Sequence, residues 1–331
     1  MNKPIKYRCL IDADLIVYGS AFANQRLNDD GVIVAGHFDR CIENIDERVK
    51  LIEEECFADL PSMFIFTGDK TYERMHNQLK QDNLVIKPNF RHDIATLLPY
   101  KGNRKKTDKP LHYDNVKAYM LSKFNYLLSN GCEADDLLAQ LSEMFGSEGI
   151  DRGDYIERVI ICSVDKDLRI QAGWHYSPAS YNSPSKPLEL IDRFGYLKDV
   201  GEDKLKVVGG GVMFHYYQML IGDSTDNIIG CGIQEKAVYK SGKKKGQEYT
   251  KRKGVGARTA FDTLKDCMDE TELLFAVADR YYSVYGETWK EAMLENARLL
   301  FMANKKDENG NLIMWDFPEE IDMVEGTLDG K

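Results

Sequence analysis

Apolar runs that end on acidic residues set the rhythm of this chain. Tyr7 to Ile11 reads as a short strand leading to Asp12, and Met63 to Thr67 as a second buried strand ending at Gly68-Asp69. Val159 to Val164 is a third apolar run, followed by Asp165 and Asp167. Between these runs, Phe38, Ile42, Ile45, Val49, Ile52 and Cys56 share one face of a helix over 38–56. A helical pattern passes through Tyr119, Phe124 and Leu128, and another helix starts near Ala134. This alternation predicts an α/β fold, a mostly parallel sheet with helices on both faces. Residues 88–112 carry Pro88, Pro99 and Pro110 and read as irregular. After about residue 205, helical patterns at 212–221, 257–266, 271–284 and 287–303 follow one another without convincing strands. The expected organisation is therefore a core over 1–205 and a helical domain over 206–331.

Size and composition narrow the class. With 331 residues, 43% hydrophobic and 30% charged, the chain is that of a soluble globular protein with one large or two smaller domains. No apolar run approaches the ~20 residues that span a bilayer, so no membrane partner is expected. Asp12 and Asp14 interrupt what would be a signal core, and the expected location is the cytoplasm. The seven cysteines are scattered with no C-x-x-C pair, so neither a zinc site nor a disulfide framework is indicated. They read as buried thiols acting as small hydrophobes.

The net charge of −10 is unevenly distributed. Residues 101–109 hold five basic residues and one acid, and residues 236–258 hold nine basic residues against Glu248 alone. The stretch 305–331 has eight acids and three lysines around an apolar patch, Leu312 to Phe317, which suits either a packed segment or a partner-binding peptide. In Tyr100-Lys101-Gly102-Asn103-Arg104-Lys105-Lys106 cations alternate with an aromatic and a glycine, a texture for phosphate neutralisation and base stacking. The second island, with Lys243, Lys244 and Lys245, has the composition of a disordered segment. It runs into Gly254-Val255-Gly256-Ala257-Arg258, where exposed amides at a helix start can approach phosphate.

The acids carry the candidate chemistry. They are Asp12 and Asp14, Asp69, Glu133/Asp135/Asp136, Asp165/Asp167 and Asp223/Asp226. Each has a plain structural alternative: Glu133 to Asp136 could complement a helix dipole, Asp165 and Asp167 an Asx turn, Asp223 and Asp226 an N-cap, and Asp69 a turn. Asp12 is harder to explain that way, because an unpaired carboxylate in an apolar strand is costly. Asp14 is equally a ligand neighbour or a solvated turn residue. If the clusters converge, repulsion demands cations, and hard oxygen ligands select Mg²⁺ or Mn²⁺.

In this order, with Phe90-Arg91 and Gly222-Asp223-x-x-Asp226-Asn227 between them, the motifs resemble the phage and bacterial 5′-nucleases. That family includes flap endonucleases and the 5′→3′ exonuclease domain of DNA polymerase I. The likeness covers roughly residues 5 to 270, and Lys240 to Glu248 looks most like the exonucleases of short-tailed phages. The resemblance implies a PIN-like nuclease core, a helical arch at about 88–130 and a helix–hairpin–helix near 222–265. It implies one metal site from Asp12, Asp69, Glu133 and Asp135, and a second from Asp136, Asp165, Asp167, Asp223 and Asp226, with some sharing. Lys101 and Arg104 would contact the scissile phosphate. Arg91, Tyr100, Lys105, Lys106, Lys243, Lys244, Lys245, Gly254, Gly256 and Arg258 would bind DNA, with K⁺ at the hairpin. Residues 232–253 depart from the pattern, since family members run almost directly from Asp-Asn-Ile-x-Gly into Gly-x-Gly.

The expected activity is two-metal hydrolysis of duplex or flapped DNA, and of RNA–DNA hybrids, from the 5′ end in replication or primer removal. Two Mg²⁺ are the expected cofactors, with Mn²⁺ as substitute, and the acidic tail is a candidate contact for a replication protein. A phosphatase of the haloacid-dehalogenase type is the rival reading. It would use Asp12 and Asp14 as nucleophile and acid, but leaves Glu133 to Asp136 and Asp165 to Asp167 idle.

Overall fold

The computed structural model describes residues 3–104, 108–180 and 183–322. In chain order the first elements are β1 (Ile5–Asp12), α1 (Ala13–Ala23), β2 (Gln25–Leu27), β3 (Ile33–Ala35), α2 (Phe38–Glu55), β4 (Ala58–Phe66) and α3 (Lys70–Lys80). Next come α4 (Arg91–Ile94), α5 (Tyr113–Lys123), β5 (Asn125–Leu128), α6 (Ala134–Phe145), β6 (Ile150–Asp151), β7 (Ile156–Cys162), β8 (Gly173–Ser177) and β9 (Lys186–Ile191). The remainder holds β10 (Tyr196–Asp199), β11 (Val207–Gly210), α7 (Gly211–Ile221), β12 (Gly232–Val238), β13 (Glu248–Gly254), α8 (Ala257–Leu264), α9 (Glu270–Tyr285) and α10 (Trp289–Leu300).

The chain divides into two units. The first takes Met1–Phe90, Lys106–Asp192 and Met302–Ile313; the second takes Arg91–Lys105, Arg193–Phe301 and Met314–Lys331. The division expected near residue 205 thus falls between Asp192 and Arg193, and each unit is assembled from separated segments. Composition along the chain cannot reveal this, because the segments join by packing.

The first unit is built on a sheet in the order β5-β4-β1-β7-β8-β9, with β6 also paired to β7. β5, β4, β1, β7 and β8 are mutually parallel, while β6 and β9 are antiparallel to their neighbours. The mixed α/β architecture with a mostly parallel sheet is the one the pattern predicts. β1 is central because its second half, Cys9 to Ile11, is apolar on both faces and is buried. One face of the sheet packs Cys9, Ile11, Phe64 and Phe66 against Ile16, Ile45, Val49, Val116 and Met120. The other packs Leu10, Ile65 and Ile161 against Leu138 of α6.

One expectation fails here. Phe124 and Leu128 do not continue a helix: α5 stops at Lys123, and Asn125–Leu128 extends to pair in parallel with Met63–Phe66. The apolar register of β4 outweighs a short helical period. Within the segment 88–130 expected as an arch, Tyr113, Val116, Met120 and Leu121 of α5 are core residues of the first unit, while Arg91–Lys105 clusters with the second.

In the second unit α7, buried along almost its whole length, packs against α8, α9 and α10. This unit is not purely helical. β10 and β11 form one antiparallel pair, and β12 and β13 another, with Gly232 opposite Gly254 and Val238 opposite Glu248. The insertion read as disordered is therefore a β-hairpin, and the Tyr239 and Tyr249 rings meet across it at 4.3 Å. Their contact supplies the apolar burial that the lysine-rich composition conceals. Trp315, from the apolar patch near the C-terminus, is buried against His215 and Phe317, so this part of the patch is packed. Among the described residues, no helix is long and apolar enough to cross a membrane.

Phe64 is fully buried on β4, 4.7 Å from the Phe124 ring. Phe64→Ala should lower stability by about 3–5 kcal/mol, seen as an earlier urea midpoint with an unchanged slope.

Candidate active site

Because β5, β4, β1 and β7 are parallel, the residues that follow them emerge on one edge of the sheet. Asp12 ends β1 and caps α1, with one oxygen accepting the Asp14 amide at 3.2 Å. Its other oxygen accepts the Ser163 hydroxyl at 3.0 Å, and Ser163 Oγ in turn accepts the Asp165 amide at 3.1 Å. Ser163 thus couples the ends of β1 and β7. Asp165 accepts the Asp167 amide at 2.9 Å and opens the short 3-10 turn 167–170, while Asp167 pairs with Lys166 at 2.7 Å. After β4, Gly68 passes so close to Ser129 that a Cβ would lie 2.1 Å from its carbonyl oxygen. That approach brings Asp69 to the start of α3.

The carboxylates in this edge act on one another. Burial, then the Asp14 charge, push the Asp12 carboxyl up to about 7; the Ser163 hydroxyl opposes this and Asp165 adds to it. Asp135, in the first turn of α6, is held well above the usual carboxylate range by burial and then by Asp165, Asp12, Glu133 and Asp136. The structure therefore brings Asp12, Asp135 and Asp165 together, with Asp14 and Glu133 beside them. Among the described residues no three of these acids offer ligand atoms all within 4.8 Å of one another. As a donor set they nonetheless suit a hard divalent cation: several oxygens, mutual repulsion, and no cation among the causes that shift Asp12 or Asp135.

The other expected ligands of the first unit are engaged elsewhere. Asp136 is fully buried, and its two oxygens accept the Glu133 amide and the Ala303 amide, each at 2.9 Å. Together with Glu133 it closes a capping box on α6. Both of its oxygens, expected as metal ligands, accept backbone amides. Asp69 caps α3 through the Tyr72 amide at 2.7 Å, and its second oxygen meets Lys117 Nζ at 3.2 Å. Lys117 is fully buried, 3.6 Å above the centre of the Tyr72 ring; burial lowers its pKa and Asp69 opposes that.

Lys117 and Ser163 were missed in the sequence. Lys117 carried a signal, since it sits in the buried stripe Tyr113, Val116, Met120 and Leu121, where a lysine needs a partner. Ser163, a small residue at a strand end, carried none.

The remaining acids belong to the second unit. Asp223 is buried and caps the amides of Thr225 at 2.6 Å and Asp226 at 3.4 Å. Asp226 accepts the Tyr100 hydroxyl at 2.9 Å, lies 3.6 Å from Lys101 Nζ, and is hydrogen-bonded by the Arg104 guanidinium. Arg104 Nε also donates to the Thr225 carbonyl at 3.3 Å, and Lys101 donates its amide to the Asp226 carbonyl at 2.8 Å. Asp226 is thus a clamp for two cations.

Two expected DNA contacts are buried. Tyr100 is 5% exposed, too little for a base-stacking surface. Arg91 is 2% exposed and donates to the Leu299 carbonyl at 3.0 Å and the Phe301 carbonyl at 2.7 Å, capping the end of α10. Lys243, Lys244 and Lys245 are exposed in the turn of the β12–β13 hairpin. Gly254 ends β13, where a Cβ would meet the Cys231 carbonyl oxygen at 2.3 Å. Gly256 caps α8 with open space around it, and exposed Arg258 lies 3.8 Å from Asp199. Lys105 and Lys106 lie outside the described residues.

No family model matches the chain, and no curated protein matches its sequence. Among solved structures it is similar to the bacteriophage T5 5′-exonuclease with zinc ions bound, at 16% identity and TM-score 0.47, covering 89% of each chain. It is also similar to a bacteriophage T5 flap endonuclease in a pseudo-enzyme–product complex with DNA and metal ions, at 15% identity and TM-score 0.44. That match covers 89% of this chain and 99% of the other. The functional reading rests on the geometry of the site itself.

A carboxyl whose pKa is raised on folding holds its proton more tightly in the folded chain. Its contribution is complete below the ordinary value of 3.8 and is lost as pH rises through about 7. In chelator, the melting temperature should therefore fall between pH 5 and 8, and Asp12→Asn should flatten that fall. A melting temperature that rises over this interval would contradict the raised Asp12.

Proposed function

We propose that the chain is a divalent-metal-dependent 5′-nuclease that hydrolyses phosphodiester bonds of duplex or flapped DNA, and of RNA–DNA hybrids, from the 5′ end. The observation that supports it is the gathering of Asp12, Asp135 and Asp165 on the carboxyl edge of the sheet, where, beyond burial, Asp165 raises the proton affinity of Asp12, and Asp165 and Asp12 that of Asp135. A fold that holds desolvated carboxylates this way is built for cations.

Asp12, Asp135 and Asp165, with Glu133, would hold the ions, Mg²⁺ with Mn²⁺ as substitute. Bound divalent ions supply an activated water and stabilise the leaving 3′ oxygen. Ser163 keeps the Asp12 and Asp165 loops in register through its two hydrogen bonds. Lys117 orients Asp69 and holds its charge beside the same strand ends.

The second unit supplies phosphate binding. Two cations on the single Asp226 carboxylate leave a net positive group, pre-oriented for a phosphate oxygen. The exposed lysines of the hairpin turn would neutralise duplex backbone, the α8 start at Gly256 would offer amide N–H groups to a phosphate, and backbone carbonyl oxygens of the preceding turn would hold K⁺. Such an activity would serve replication or primer removal, and the acidic stretch after residue 305 would be the contact for a replication protein.

Digestion of 5′- and 3′-labelled duplex, flap and hybrid substrates with Mg²⁺ and with EDTA tests the reading. Expected are metal-dependent products released from the 5′ end, each carrying a 5′-phosphate. Asp165→Asn should lower turnover by orders of magnitude and leave DNA binding largely intact; near-normal cleavage by that variant removes Asp165 from the site. Replacing Lys243, Lys244 and Lys245 together by Ala should weaken DNA binding and reduce the slope of log K against log salt by roughly 2–3. An unchanged slope takes the hairpin out of the interface.

A further inference from the structure

Directly behind the acid cluster lies a group of side chains that the proposed hydrolysis does not use. Cys9 is on β1, three residues before Asp12, and Cys162 ends β7, three residues before Asp165. The strand register sets Cys9 beside Ile160 and Ile11 beside Cys162. Cys56, immediately after α2, completes the group, and all three side chains are fully buried. Their sulfurs all lie within 4.8 Å of one another, and Cys56 Sγ to Cys162 Sγ is 3.8 Å. The cysteines are free, and that separation is far beyond the ~2.05 Å of a disulfide.

The Cys56–Cys162 separation is that of two sulfurs on one metal, and Cys9 Sγ lies within 4.8 Å of both. A cation about 2.3 Å from each sulfur, the zinc–thiolate length, requires sulfurs roughly 3.8–4.0 Å apart. Among the described residues this is the one group of three or more potential ligands drawn so close. Hydrogen bonds from the Cys162 and Cys56 thiols lower the Cys9 thiol to about 5 against its burial, while Cys56 and Cys162 are both held above the ordinary thiol value, Cys162 chiefly by burial, so within the trio Cys9 favours the thiolate. Cysteines that merely fill a core have no reason to converge from two strands and a helix end.

We propose that Cys9, Cys56 and Cys162 form a binding site for one thiophilic d¹⁰ cation of the zinc, cadmium or copper(I) class. Binding forms three metal–sulfur bonds: Cys56 and Cys162 each lose their S–H proton to solvent, and Cys9 binds as the thiolate it already favours. No change of oxidation state is involved. The site is chemically distinct from the carboxylate edge, because sulfur selects soft cations where carboxylate oxygens select hard ones. It would tie β1, β7 and the end of α2 together immediately behind Asp12 and Asp165.

The test is titration of the full-length protein with Cd²⁺ in the presence of excess Mg²⁺, which occupies oxygen sites. Sulfur-to-cadmium charge-transfer absorption reports thiolate ligation alone, and native mass spectrometry counts the ions. The expected result is a band that saturates at one equivalent, is lost in Cys162→Ala and is kept in the control Cys267→Ala. If Cys162→Ala does not fold by circular dichroism, Cys56→Ser serves in its place. A wild-type protein without the band, or a band that survives in the trio variant, overturns the proposal. The absorption is read whether or not the chain cleaves DNA, so failure here and failure of the nuclease reading are separate results.

Discussion

The interaction on which the first unit turns is repulsion between desolvated carboxylates that the sheet forces into proximity. One like-charge pair at about 4 Å costs roughly 4 kcal/mol at an effective dielectric near 20. Asp12 and Asp135 hold their protons, first because they are buried and then because other carboxylates lie near them. They cannot separate, because β1 is clamped between two parallel neighbours and each acid is fixed at a strand end or helix start. Ser163 adds a local restraint by bonding the Asp12 carboxylate and the Asp165 amide at once. The site is strained in its charges rather than in its backbone, and a cation is the natural relief.

Within each unit the cations have different purposes. Lys117 is buried and bonded to Asp69, so its charge stays within the protein. Arg91 is spent on carbonyls at the end of α10. Lys101 and Arg104 share Asp226, and Arg104 is exposed, so this group retains positive charge that can face an anion. The hairpin lysines are wholly at the surface. Burial separates structural cations from those available to a ligand, even though all are equally basic as residue types.

The same separation applies to the acids. Asp135 and Asp136 are adjacent in sequence, yet one is coupled to Asp12 and Asp165 while the other is consumed by two backbone amides. Helix geometry turns neighbouring side chains about 100° apart, so one can look to the strand ends and the next into the helix start. The thiols show the reverse case. Cys9, Cys56 and Cys162 are far apart in the chain, read individually as small hydrophobes, and converge because alternate residues of paired strands share a face.

What the sequence determined by itself were the local patterns: strands that are continuous apolar runs, amphipathic helices such as α2 and α6, and acids placed just past them. Those follow from side-chain period and solvation, which are properties of neighbouring residues. Strands without such a pattern were not legible, namely β8 to β11 and the lysine-rich β12–β13 hairpin, where pairing and the Tyr239–Tyr249 contact carry the stability. Nor was the helix of α5 separable from β5, because the edge strand owes its conformation to β4. Tertiary structure alone decided which acids feel one another, which cations are exposed, and which cysteines meet. Those outcomes depend on register and burial, and both arise only when distant segments pack.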